Sequence, residues 1–313
     1  MLGKTAGGLY WMFRFLERAE NTARLIEAGF RIALTRSSDP ASEWKSVIVT
    51  SAAQAAYEAK HDGYDSARVT DFLLRDSENP GSVHSVIKSA RDNARLVRTA
   101  LTSEVWSAVN ETWMVLTERL RHPIPETDLP EVLAAIRQQS ALVRGALHGT
   151  MLRNDVYDFC RIGTFVERMD NTARIVNVKY YALLPSPSLV GSRMDNVQWE
   201  TLLRSVSAHR SFRWALDGDY NAANIAQFLI LDRRLPRSLA FCAGKIADNL
   251  TYLAKQYEDE KHSVSLARTL EKRLMNRDID TIFDEGLHEF LTSMIGDTAQ
   301  LGLQIEVDYR FNA

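Results

Sequence analysis

The chain has 313 residues, 45% hydrophobic and 25% charged, which supplies a packed core and excludes a disordered chain. Its 38 basic and 40 acidic residues leave a net charge of −2, so no long-range field draws it to nucleic acid or to a membrane surface. Two cysteines, Cys160 and Cys242, make neither a disulfide framework nor a zinc spacing.

The opening MLGKTAGGLYWMFRFLERAE does not read as a secretory signal, because Arg14, Glu17 and Arg18 interrupt any apolar stretch. Gly3, Gly7 and Gly8 read as a flexible lead-in. From Tyr10 the apolar residues Phe13, Leu16, Ala23 and Ile26 recur at helical spacing. Breaks follow at Asn79-Pro80-Gly81, His122-Pro123-Ile124-Pro125, Pro185-Ser186-Pro187 and Leu235-Pro236. Ser103, and Asp128 ahead of Leu129-Pro130, read as helix starts. Val132, Ala135, Ile136, Leu142, Val143 and Leu147 then mark a helix near 128–150. No alternation of the strand kind stands out, so the predicted class is all-α, with about ten to twelve helices of typical length. No uncharged apolar run of 18 residues occurs, so no membrane span is expected and the cytoplasm is the expected location.

Comparison of the chain with itself is the most informative step. FLERAENTAR at 15–24 returns as FVERMDNTAR at 165–174. Farther on, Trp44 matches Trp199, Tyr64 matches Tyr220, and Phe72-Leu73-Leu74 matches Phe228-Leu229-Ile230. Asp76, Pro80 and Ser82 match Asp232, Pro236 and Ser238, and Asp92-Asn93 matches Asp248-Asn249. Matches in the same order at nearly constant offset predict an internally duplicated bundle with pseudo-two-fold symmetry. Its half-repeats, about 1–125 and 150–313, form one domain over 1–313, joined by the helical segment near 128–150.

On a helix, Glu17, Asn21 and Arg24 share one face, and Glu20 stands one turn from Arg24. Arg18 points about 100° away from Glu17 and needs a partner elsewhere. The second copy repeats this arrangement with Glu167, Arg168, Asp170, Asn171 and Arg174. Three readings stay open. The seam is architectural if Glu17 reaches Arg168 and Glu167 reaches Arg18 across the axis, which satisfies charges that are costly to bury alone. It is a site if the arginines, carboxylates and amides hold a zwitterion, a peptide terminus or a phosphate. It is a metal centre if Glu17/Glu20 and Glu167/Asp170 act as i, i+3 ligands. However, the Glu-x-x-His pattern is missing and the neighbouring arginines oppose a cation, so no metal or other cofactor is expected.

A secondary basic helix carries Arg91, Asn93, Arg95 and Arg98. The matching KIADNLTYLA at 245–254 keeps Asp248-Asn249 and loses the arginines, so this basic face belongs to the first half alone. It reads as solvated surface or as a binding patch. The seven histidines show no ligand spacing, the six tryptophans suit core positions, and no nucleophile elbow or phosphate loop is present. No catalytic residue is assigned.

The two Glu-Arg segments, together with ENPGSVHSVIKSARDNARLVR at 78–98, resemble the bacterial alpha-E family, named for an all-helical fold with a Glu-Arg motif. The resemblance runs over essentially the whole chain. It implies partnership with an ATP-grasp ligase-like protein and a transglutaminase-like protein in a predicted peptide-ligation or peptide-modification system. The expected role is a non-catalytic accessory or binding component for a peptide or amino-acid ligand. The alternatives are an enzyme using the Glu-Arg seam for acid/base chemistry and a ligand-free scaffold.

Overall fold

The computed structural model describes residues 1–35, 40–182, 193–216 and 220–312. The Pro185-Ser186-Pro187 break lies outside them. The described residues form fifteen α-helices and one short 3₁₀ turn, Arg98–Ala100, with no strand. The first half of the chain holds α1 (Gly3–Thr35), α2 (Pro40–Thr50), α3 (Gln54–Glu58), α4 (Ser66–Leu74), α5 (Val83–Leu96), α6 (Ser103–Arg119) and α7 (Leu129–Thr150). The second holds α8 (Asp155–Ala182), α9 (Arg193–Ser205), α10 (His209–Ala215), α11 (Ala222–Ile230), α12 (Leu239–Tyr257), α13 (His262–Met275), α14 (Ile279–Glu285) and α15 (Leu287–Asp308). The all-helical class stands. The number of helices exceeds the ten to twelve expected because α3, α10 and α14 run only five or seven residues, shorter than the typical lengths on which that number rested.

Two long helices, α1 and α8, lie against each other at the centre. α5 and α7 pack on α1, and α12 and α15 pack on α8. Buried Tyr10, Phe13, Phe159 and Phe165 help fill the core around this pair, each large ring removing apolar surface from water. Trp44 and Trp199 are buried in it too, as are both cysteines. No helix among the described residues is long and apolar enough to cross a membrane.

Helix boundaries recur between the halves. α4 and α11 both span nine residues, after Asp65 and Asn221 caps whose side chains accept from the backbone N–H of Arg68 and Asn224. Ser82 and Ser238 cap α5 and α12 in the same manner. α7 and α15 both span 22 residues. The segment near 128–150 is α7, and it packs on α1 and α6 as α15 packs on α8 and α13.

Both helix starts read from the sequence stand, α6 at Ser103 and α7 at Leu129. Thr102, not Ser103, caps α6, its hydroxyl accepting from Val105 N–H. Asp128 precedes α7 without a side-chain cap bond. The glycines of the opening segment belong to α1. A Cβ at Gly3 would strike the Arg310 carbonyl, and one at Gly7 would press on the Phe311 side chain. These glycines let the C-terminal turn approach α1, so close packing overrides their low helix propensity.

Candidate functional site

Glu17 lies on the face of α1 turned toward α8, with its side chain 1% exposed. Arg168 of α8 grips it with a two-pronged fork, Nε to Oε1 and Nη2 to Oε2, both at 2.8 Å. The exchange is returned: Arg18 donates from Nε to Glu167 Oε1 at 2.6 Å and from Nη2 to Oε2 at 2.9 Å. Each arginine thus finds on the neighbouring helix the partner that its own helix geometry denies it. Such bidentate charge-assisted pairs are strong and directional.

Other helices supply partners that carry no local sequence signal. Arg14, one turn before Arg18, donates Nε to Glu167 Oε2 at 2.9 Å and stacks over Trp11. Arg144 of α7 bonds Glu20 and stands 3.6 Å from Glu17. Arg237, just before α12, lies 3.0 Å from Glu17 Oε1 and also donates to Glu20 Oε1 at 2.8 Å and Asn21 Oδ1 at 2.9 Å. Arg24 pairs with Glu20, and Arg174 with Asp170, each one turn apart. Four guanidiniums therefore share Glu17 and Glu20, and three share Glu167 and Asp170.

This surplus of positive charge fixes the ionisation of the carboxyls. Burial by itself would raise the Glu17 carboxyl, but Arg168 and then Arg237 outweigh it and hold the group well below the usual carboxylate range. Burial and Glu17 act against Glu20, yet Arg237, Arg144 and Arg24 lower it too. Glu167 is lowered against its burial by Arg18 and Arg14. At Arg237 burial outweighs the neighbouring carboxylates and pushes its pKa down to about 10; it stays charged at neutral pH.

The seam is not closed on both sides. A cavity of about 300 Å³ opens beside it, with Arg18, Glu167, Asp170, Asn171 and Arg174 on its wall. Asn21, Asn79 and Gly81 also line it, as do Thr22, Leu25, Leu73 and residues 50–53. Asn79 is buried and holds the Asn79-Pro80-Gly81 turn, donating to Phe72 O and accepting from Gly81 N–H. Asn21 is 2% exposed, and its Nδ2 has no hydrogen-bond partner among the described residues. The ten Glu-Arg residues read from the sequence thus gather at one seam, and six of them, Asn21 included, sit on the open wall. Arg14, Arg144, Arg237, Asn79 and Gly81 were not read as site residues from the sequence, where Asn79 and Gly81 figured only in a helix break.

The secondary basic helix lies elsewhere. Arg91 donates to Asn110 and stands over Trp113, Arg98 stands over Trp106, and Asn93 bonds back to Ser89 O. Arg95 is exposed. None of these four lines the cavity.

The pH dependence of stability follows from these shifts. Glu17, Glu20 and Glu167 have folded pKa values below the unfolded value of about 4.3. Their stabilisation is therefore complete above roughly pH 5 and is lost as pH falls through the depressed values. Asp158, near the start of α8, goes the other way: burial and then Asp155 push it up to about 7. Its penalty grows from about pH 4 to pH 7 and then levels off. Urea midpoints for the native chain should fall steeply below about pH 4. Asp158→Asn should raise the midpoint at pH 8 by more than at pH 5, and an equal gain at both would refute the assignment.

A helical bundle centred on two long helices, locked by crossed and buried Glu–Arg pairs, defines the class as an all-α protein organised by a Glu-Arg motif. The chain belongs to the Alpha-E family, described as a predicted alpha-helical domain with a conserved ER motif, and the match covers residues 1–309. It is 26% identical over 270 residues, covering 77% of this chain and 29% of the relative, to an uncharacterised protein of Mycobacterium bovis. Uncharacterised proteins of two Mycobacterium tuberculosis strains match to the same extent. The chain therefore spans less than a third of the length of these curated relatives. No solved structure matches it.

Proposed function

We propose that the chain is a duplicated helical unit that binds a small polar ligand of amino-acid or peptide type at its Glu-Arg seam, and that it serves an ATP-grasp ligase-like protein and a transglutaminase-like protein as their accessory component. The recurrent helix boundaries support the duplication, with α8 opening the second unit. One observation carries the binding reading: beside a seam whose charges are otherwise paired, the cavity of about 300 Å³ exposes cationic, anionic and amide groups together. A volume at the low end of ligand pockets, with several convergent polar groups, suits a molecule of that size.

The acid/base alternative is weaker on physical grounds. A carboxyl held ionised by two or more arginines donates no proton at neutral pH and is a poor base. The plain scaffold accounts for the paired seam but not for the opening beside it. The test is reconstitution. The untagged chain should co-purify with a tagged ATP-grasp partner encoded beside it, and adding it should change the partner's turnover on an amino-acid or peptide acceptor. No association together with unchanged turnover would remove the accessory reading.

A further inference from the structure

The two Glu-Arg centres differ at one position that decides whether the space beside them is filled. Glu17 Oε1 accepts from Arg168 Nε and has Arg237 at 3.0 Å. At the other centre, Glu167 Oε1 accepts only from Arg18 Nε among the described residues, because Arg14 bonds the other oxygen, Oε2. Arg237 stands between Pro236 and Ser238, and the matching residue between Pro80 and Ser82 is Gly81. The three groups that Arg237 engages, Glu17, Glu20 and Asn21, match Glu167, Asp170 and Asn171. Those three residues and Gly81 line the same cavity. Where one half of the chain inserts its own guanidinium, the other has a glycine and an opening.

Resting on the binding reading above, we propose that this cavity takes the guanidinium of a ligand, an arginine-type group seated as Arg237 is seated at the opposite centre. Three observations agree on it. Four guanidiniums share the two carboxylates at the filled centre and three at the open one, so a ligand guanidinium restores the same number. Asp170 has Arg174 as its sole ion-pair partner among the described residues, whereas Glu20 has Arg24, Arg144 and Arg237. A carboxylate and an amide side by side, with Glu167 beyond, offer the fork-shaped acceptor set that a planar five-donor group fills best. The unpartnered Asn21 Nδ2, buried at the same wall, is a donor. With Arg18 and Arg174 beside it, it suits a carbonyl or carboxylate at the other end of the same ligand, as in free arginine or an arginyl peptide. A buried donor left unsatisfied is costly, and such a ligand would relieve it.

The chain itself supplies the decisive variant. A Cβ at Gly81 would stand 3.2 Å from Asn79 Oδ1, which needs a shift of only a few tenths of an ångström. Gly81→Arg should therefore fold and plug the cavity with its own guanidinium. The experiment is thermal unfolding and calorimetric titration of the native chain, Gly81→Arg and Asp170→Asn. The probes are free L-arginine, an Nα-acetyl-arginine amide, an Ala-Arg-Ala peptide, citrulline, L-lysine and L-glutamate. Free arginine or one of the arginyl probes should raise the melting temperature of the native chain, and which of them does so separates an amino acid from a peptide. Citrulline, of the same shape but uncharged, should bind at least tenfold more weakly, as expected on losing a charge-assisted pair. Asp170→Asn should weaken binding by about tenfold or more, and Gly81→Arg should abolish it while melting at or above the native temperature. Citrulline or glutamate binding as tightly as arginine, and blocked by Gly81→Arg, would overturn the guanidinium assignment and leave the binding reading standing. No response of the native chain to any arginyl probe would overturn the assignment outright.

Discussion

Glu17→Gln should be the most damaging single change at the seam, lowering stability by about 3–5 kcal/mol. The substitution keeps shape and removes charge, leaving Arg168 and Arg237, both buried, to face an uncharged amide. The cost arises from the arginines rather than from the lost glutamate, because buried Arg168 loses its ion-pair partner and Arg237 is left with Glu20 alone. At roughly 2–4 °C per kcal/mol for a chain of this order of size, the melting temperature should fall by about 10 °C. Glu167→Gln should cost less. Its main partner, Arg18, keeps 33% of its side chain exposed and faces the cavity, so water can take over part of the lost interaction. The ordering is the test. Equal losses in the two variants would mean that the filled and open centres do not differ as described, and a native-like melt for Glu17→Gln would remove the seam from the list of what holds the fold.

Gly163→Ala is expected to lose at least about 2 kcal/mol, although alanine is the better helix former by about 1 kcal/mol. Gly163 of α8 faces the backbone of α1 so closely that an added Cβ would overlap the Tyr10 carbonyl. Backbone cannot rotate aside as a side chain can, so the two central helices must separate. The Glu–Arg forks lie only one to two turns farther along the same contact, and they would be stretched with it. Gly145 of α7 is the control: a Cβ there meets nothing within 4 Å, so Gly145→Ala should gain about 0.5–1 kcal/mol. Chemical denaturation of both variants measures one substitution with two opposite signs. A gain at Gly163 would show that α1 and α8 are not held at that distance.

Local pattern revealed some parts of this molecule and hid others. The helical class follows from apolar spacing, and the gathering of the Glu-Arg residues follows from helix geometry, since a residue 100° from its neighbour cannot pair with it. The third partners were hidden. Arg14, Arg144 and Arg237 belong to segments whose local patterns say nothing about Glu17 or Glu167, and only packing brings them there. The signal for Arg237 was nonetheless present, because Pro80-Gly81-Ser82 set against Pro236-Arg237-Ser238 differs in its middle residue alone. The glycines near the start were misread for a general reason: propensity describes an isolated helix, and these glycines serve contacts with Arg310 and Phe311 that no local window contains. The basic segment at Arg91–Arg98 carried a dense local charge pattern outside the seam, yet Arg91 and, in the 3₁₀ turn after α5, Arg98 stand over tryptophan rings.

The two thiols give the molecule a clock. Cys160 of α8 and Cys242 of α12 are fully buried, and burial pushes the Cys242 thiol up to about 12; that of Cys160 is raised as well. Only the thiolate reacts with alkylating reagents, so neither sulfur should be modified while the central helices stay together. Any alkylation of the native chain therefore times the rare excursions in which α8 and α12 come apart.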